Sequence, residues 1–299
     1  MELTRRLATL IFVQEIEQAE YYADLPAPVE LPSPAYEPSP NDPPWTSLGA
    51  IAVWFVSILL ILVLPSLFLL AYAFQLDPPI RDPSALVEFA KNDPTAILVQ
   101  ILSVIPAHIL TFLLAWIVIT RIRTYSFWKM IGDKSGGVRW YHFGAILAGF
   151  IPLVLIVSRF LPEQETDITR ILKSSHAAVF VVAIVATFSA PLVEEVIYRG
   201  ILYSAFQRSL GVWAAVIIVT VMFAGVHVPQ YIDSPATIAF ILVLSIILTV
   251  MRARSNNLLP CILFHMVFNG LQAVGFTVES FISKPEIQDK AAGLFHLIK

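Results

Sequence analysis

Long apolar runs recur along this chain and set its architecture. The stretches 48–74, 96–120, 142–161, 176–193, 212–228, 236–251 and 258–276 are predominantly apolar, and no charge interrupts the first two. Their lengths approach or exceed the about 20 residues a helix needs to cross roughly 30 Å of hydrocarbon. A further stretch, 196–210, is shorter and carries Arg199 and Arg208. It either continues the fourth helix past a kink or forms a short helix of its own. The expected fold is therefore all-α, a polytopic transmembrane bundle of seven or eight spans, with the chemistry-bearing helices in the C-terminal half.

Basic residues in short loops face the cytoplasm. The loop 121–141 holds Arg121, Arg123, Lys129, Lys134 and Arg139, so it is expected inside, as is the N-terminus two spans earlier. With seven spans, Arg208 and the Arg252/Arg254 pair also fall inside and the acidic loop at Asp233 falls outside. The C-terminal tail with Lys284, Lys290 and Lys299 then lies outside, against the trend.

The first 47 residues read differently. An apolar run behind Arg5 and Arg6 resembles the start of a signal sequence. It breaks at Gln14-Glu15 and lacks a small-x-small cleavage site. A helix lying on the membrane surface fits it better. Residues 26–44 contain eight prolines and are expected to form an extended, polyproline-like tether. The organisation expected is 1–47 as surface helix and linker, 48–175 as N-terminal spans, 176–276 as the functional core and 277–299 as a tail.

Composition agrees with the pattern. The chain of 299 residues is 57% hydrophobic and only 14% charged, with mean hydropathy +0.76. A soluble domain carries about 25% charged residues. A net charge of −3 gives no basic field for nucleic acid. The one cysteine, Cys261, lies in an apolar run and excludes a disulfide framework. It reads as a packing residue.

Strongly polar groups are costly in hydrocarbon, so those that persist need a reason. Three clusters do. In Glu194-Glu195-Val-Ile-Tyr-Arg199, Glu195 and Arg199 stand four apart on one helical face, in the favourable order for an ion pair. Glu194 points away from that face and is free for another task. Pro191 has no N–H and crowds the carbonyl of Thr187, which predicts a kink. In Phe223-Ala-Gly-Val-His227, a histidine sits near the end of an apolar helix that Pro229 should terminate. In His265-Met-Val-Phe-Asn269, the imidazole and amide share a face. Each group alone could be a helix–helix hydrogen-bond partner. Together they are expected to converge on one cavity, where a carboxylate, two imidazoles and an amide can activate water. His108, His142, His176 and His296 read as structural or interfacial.

EExxxR, FxxxH and HxxxN, in this order on apolar helices, resemble the CPBP (Abi) family of membrane proteins, which includes the type II CAAX prenyl endopeptidase and bacteriocin-processing relatives. Tyr198-Arg199-Gly200 continues the first motif as that family does. The resemblance covers roughly residues 176–276 and implies an intramembrane endopeptidase. It implies Glu194 as the base that activates water, assisted by His227. His265 and Asn269 would stabilise the oxyanion or hold a metal, and Glu195 and Arg199 would orient Glu194. Glu194, His227 and His265 with an open position would suit zinc, yet the sequence lacks HExxH. A metal-free glutamate route stands equally open.

The substrate expected is a membrane-associated peptide or protein cut near its terminus, with the lipid bilayer as the other partner. Two other classes compete. A non-enzymatic immunity or scaffolding protein would keep its phenotype without Glu194. A proton-coupled transporter would favour inverted repeats, and none is visible. The absence of Asn-x-Ser/Thr and the compact loops point to a bacterial inner membrane, with the endoplasmic reticulum as the eukaryotic equivalent.

Overall fold

The computed structural model describes residues 37–160 and 167–282. The expected surface helix, most of the proline-rich stretch, the C-terminal tail beyond Ile282 and His296 lie outside the described residues, whereas 277–282, expected as the start of that tail, continue the last helix. Ten helices follow one another: α1 (Ser47–Gln75), α2 (Pro83–Asn92), α3 (Pro94–Thr120), α4 (Phe127–Ile131), α5 (Trp140–Phe160), α6 (Asp167–Ser174), α7 (His176–Leu210), α8 (Val212–Tyr231), α9 (Pro235–Ser255) and α10 (Leu259–Ile282). The described residues contain no β-strand.

Six of these helices, α1, α3, α7, α8, α9 and α10, are long and apolar enough to cross a membrane. Their most apolar windows are only 17–33% buried within the protein. A soluble fold would hide such surface, whereas a bilayer accepts it. The chain is an integral, multi-pass membrane protein. The apolar part of α5, Trp140–Ile156, falls short of the other six in length. It makes a seventh crossing only by its position between α3 and α7. The stretch 196–210 is not an eighth span, because it continues α7 without a break.

Local sequence starts these helices in familiar ways. Thr46 accepts from the Gly49 amide at 3.2 Å. Asp93 accepts from Thr95 and Ala96, both at 2.9 Å, with Pro94 in the first turn. Ser175 caps α7 through Ala178 at 3.1 Å. A side-chain oxygen of this kind satisfies amides that a helix start leaves without a partner.

α7 departs from α-helical register twice. Val185–Ser189 and Val196–Leu202 are π-helical turns, and between them lies the short α segment Ala190–Glu195. Pro191 is the local cause of the first. The expected kink is taken up as a shift to i→i+5 bonding, in which the Ala190 amide reaches Val185 O. Inserted turns of this type often mark functional sites.

The helix ends gather on two faces. At one, Ser47 Oγ donates to Ala205 O at 3.3 Å. There the 132–134 loop also meets the α9–α10 turn. Leu258 N–H donates to Ile131 O and Gly132 O at 3.1 and 3.0 Å, and Lys134 N–H to Asn257 Oδ1 at 3.2 Å. Gly132 is required here: its φ is +79°, and a Cβ would lie 2.8 Å from Asn257 Cα. At the opposite face His176 stacks on Phe281 with centroids 4.9 Å apart. Ile171 and Leu172 of α6 pack there with Ile97 of α3.

Residues 38–46 form a strap across the first face. The end of the proline-rich stretch is thus tied down rather than free. Trp45 Nε1 donates to Ile201 O at 3.1 Å, inside the second π turn. The fully buried Arg252 donates to Asn41 Oδ1 at 3.0 Å and to Pro40 O at 2.6 Å, and lies 5.4 Å from the Tyr203 ring centroid. Arg208 donates to Pro43 O and Trp45 O.

Hydrogen bonds to charged donors contribute about 1.5–3 kcal/mol. Arg252→Ala is therefore expected to lower the unfolding temperature in detergent clearly, and Asn41→Ala to lower it less. The double variant should fall short of the sum, since both remove one contact. Additive losses would mean that Arg252 and Asn41 act separately.

Candidate functional site

Glu195 and Arg199 form the buried base of the site. Both side chains are fully buried, and Arg199 Nη1 donates to Glu195 Oε1 at 3.0 Å. The pair expected from i,i+4 spacing is present, and it is embedded further than spacing alone indicates. Arg199 Nε donates to Thr249 Oγ1 at 3.2 Å. Its Nη2 donates to Ser245 Oγ at 2.7 Å and to Ser245 O at 3.2 Å. The guanidinium carbon lies 4.5 Å from the Phe223 ring centroid. This accounts for the phenylalanine of the second motif, whose face balances a buried cation.

His265 joins this base to Glu194. Its Nδ1 lies 2.8 Å from Glu195 Oε1, and its Nε2 lies 3.9 Å from Glu194 Oε2. A carboxylate only accepts, so Nδ1 carries the proton, and Nε2 is the ring atom directed at Glu194. Glu195 is inaccessible, whereas the Glu194 side chain keeps 25% of its exposure. Glu194 makes no hydrogen bond among the described residues.

His227 is fixed by its own helix. Nδ1 lies 2.7 Å from Phe223 O, which fixes the proton on Nδ1 and leaves Nε2 as an acceptor. Asn269 Nδ2 donates to Ala186 O at 2.9 Å. In i→i+5 register Ala186 O would pair with the amide of residue 191, which is proline. Asn269 thus satisfies a carbonyl that Pro191 cannot, and ties α10 to the first π turn.

Glu194, His227, His265 and Asn269 all line one cavity of about 590 Å³. Phe223 forms part of the same lining, and Tyr231, Ser234, Thr237 and Gln272 extend it away from the base. Its remaining wall is apolar, with Leu147, Phe150 and Val154 from α5 and Phe240 from α9.

The expected metal set does not assemble. No three His, Cys, Asp or Glu side chains among the described residues stand close enough to hold a metal ion. Both histidines have Nδ1 engaged, as the outer nitrogen of a metal-bound imidazole usually is, and this leaves Nε2 of each without that commitment. In this arrangement Glu194, His227 and His265 do not stand as an assembled set, and no step below is routed through a metal.

The other histidines among the described residues lie outside the cavity lining. His108 Nδ1 lies 3.0 Å from Ser189 Oγ, and His142 Nδ1 accepts from Arg139 N–H at 2.9 Å. His176 takes part in the stack on Phe281. Cys261 is buried, with Sγ 3.3 Å from Leu248 O, as a packing residue should be. Sequence reasoning missed Ser245 and Thr249. The available signal was two hydroxyls four residues apart on an apolar helix, facing the same way as the arginine they serve.

Residues 176–271 match a family model described as type II CAAX prenyl endopeptidase Rce1-like. The match begins at the first residue of α7, ends inside α10 and contains every motif residue, leaving α1 to α6 outside it. An uncharacterized 24.3 kDa protein of Escherichia coli is 26% identical over 136 residues, which are 44% of this chain and 61% of that protein. The chain thus spans less than two thirds of that relative's length. No solved structure matches.

Removing one partner of a buried ion pair leaves a charge without compensation and costs about 3–5 kcal/mol. Arg199→Ala is expected to destabilise the protein on that scale, and Glu195→Ala/Arg199→Ala to recover part of the loss. Thermal unfolding in detergent measures both. A double variant no more stable than Arg199→Ala would show that Arg199 acts mainly through Ser245 and Thr249.

Proposed function

We propose that the chain is an intramembrane endopeptidase in which Glu194 activates water for attack on a peptide carbonyl. The observation that carries this reading is the division of proton roles around one cavity. Glu194 offers a carboxylate and His227 a bare Nε2, both acceptors. A water between them would donate one proton to each and keep a lone pair for the carbonyl carbon. The second N–H of Asn269 would donate to the developing oxyanion, as would His265 Nε2 in a ring that carries a proton on both nitrogens, with Glu195 holding the one on Nδ1. Each oriented donor of this kind contributes about 3 kcal/mol.

The rest of the cycle follows from proton balance. As water attacks, its proton passes to Glu194 and the carbonyl oxygen becomes the oxyanion. When the intermediate collapses, the C–N bond breaks and Glu194 returns that proton to the leaving amine. Glu195 and Arg199 never touch the substrate. Glu195 fixes the His265 proton on Nδ1 and Arg199 holds the Glu195 carboxylate in place, so both are positioning residues. The apolar wall from α5 and α9 excludes bulk water and fits a substrate with apolar side chains around the scissile bond.

General acid–base groups contribute about 10²–10⁴-fold in rate. Mass spectrometry of protein termini in membranes from cells carrying the wild type should reveal new ends. Glu194→Gln and His227→Ala should abolish them while leaving the protein inserted and folded. If the same ends persist with Glu194→Gln, the hydrolytic reading is wrong and a non-enzymatic role takes its place.

A further inference from the structure

The cavity has a direction across the membrane. Its floor lies near mid-bundle, where Glu194, Phe223 and His265 meet the buried Arg199. From there it runs toward one face only. α8 contributes Phe223, His227 and Tyr231, all in its C-terminal half. α9 contributes Ala236 to Leu244, its N-terminal half. Ser234, in the α8–α9 turn, completes the lining at the surface. The other face is closed by Arg199 with Ser245 and Thr249, by Trp45 on Ile201 O, and by the 132–134 loop on the α9–α10 turn.

Charge assigns the two faces. The closed face carries the short connection with Arg121, Arg123, Lys129, Lys134 and Arg139, and also Arg208, Arg252 and Arg254. The open face carries fewer and more dispersed basic residues, Arg81, Lys91, Arg159, Arg170 and Lys173, alongside Asp77, Asp82, Glu88, Asp93 and Asp233. Dense Lys/Arg in a short loop marks the cytoplasmic side. The cavity opens on the other.

We propose that the site takes polypeptide segments from the non-cytoplasmic side, so that its substrates are chains whose scissile bond has already been translocated. This rests on the endopeptidase reading and specifies its substrate class. A second feature of the lining agrees. Glu194 is its acidic residue, and no lysine or arginine among the described residues lines it. An uncharged, apolar stretch of chain fits such a lining.

Single cysteines decide the orientation. Ser234→Cys and Thr237→Cys mark the mouth and Lys134→Cys the closed face, each in the full chain with the buried Cys261 retained. A membrane-impermeant maleimide is applied to right-side-out and to inverted vesicles from the same cells. The expected result is labelling of Ser234→Cys and Thr237→Cys in right-side-out vesicles and of Lys134→Cys in inverted ones. Labelling of either mouth position only in inverted vesicles overturns the proposal, as does labelling of all three from one side. The readout needs no catalysis. A wrong orientation is therefore told apart from a wrong chemistry, which Glu194→Gln tests separately.

Discussion

The buried Glu195–Arg199 pair is the constraint around which this protein is arranged. A charge held at the centre of a membrane helix costs several kcal/mol unless its partners are built in. Arg199 meets that cost with Glu195, two hydroxyls of α9 and the face of Phe223 from α8. His265 of α10 reaches the same carboxylate. One ion pair thus draws α8, α9 and α10 around α7, and removing any of these contacts would expose the others to hydrocarbon.

That arrangement explains why two adjacent carboxylates behave differently. An α-helix rotates about 100° per residue, so neighbours face different surroundings. Glu195 turns into the bundle and is consumed by structure, whereas Glu194 turns into the cavity and keeps access to solvent and substrate. The histidine between them has one nitrogen for each. Its Nδ1 answers to the structural carboxylate and its Nε2 to the accessible one, so the geometry of the fold reaches the cavity through a single ring.

Much of this was legible in the sequence, and the limits have physical reasons. Apolar run length revealed the spans because hydrocarbon thickness is a property of the bilayer and not of the protein. The i,i+4 spacing of Glu195 and Arg199 revealed their pairing because both lie on one helix. The cost of polar groups in lipid implied that Glu194, His227, His265 and Asn269 share a cavity, and they do line one. The strap was not visible. Asn41 and Arg252 are 211 residues apart, and a proline-rich segment reads as a tether until its partner is known. The π turns were also hidden. Pro191 announces that a hydrogen bond is missing, but whether the helix bends or shifts register depends on who satisfies the abandoned carbonyl.

Asn269 supplies that answer, and this links the catalytic proposal to the irregular helix. An asparagine amide has two N–H groups. One is spent on Ala186 O, which holds α10 against the first π turn and fixes the direction of the other. If the second serves the oxyanion, then the same proline that breaks α-helical register also aims the donor. The π turns on either side of Ala190–Glu195 set the rotation and depth at which Glu194 stands relative to α10. Moving either turn back to α register would rotate Glu194 by about one residue, roughly 100°, and take it out of the cavity. The irregularity in α7 is thereby part of how this site is positioned.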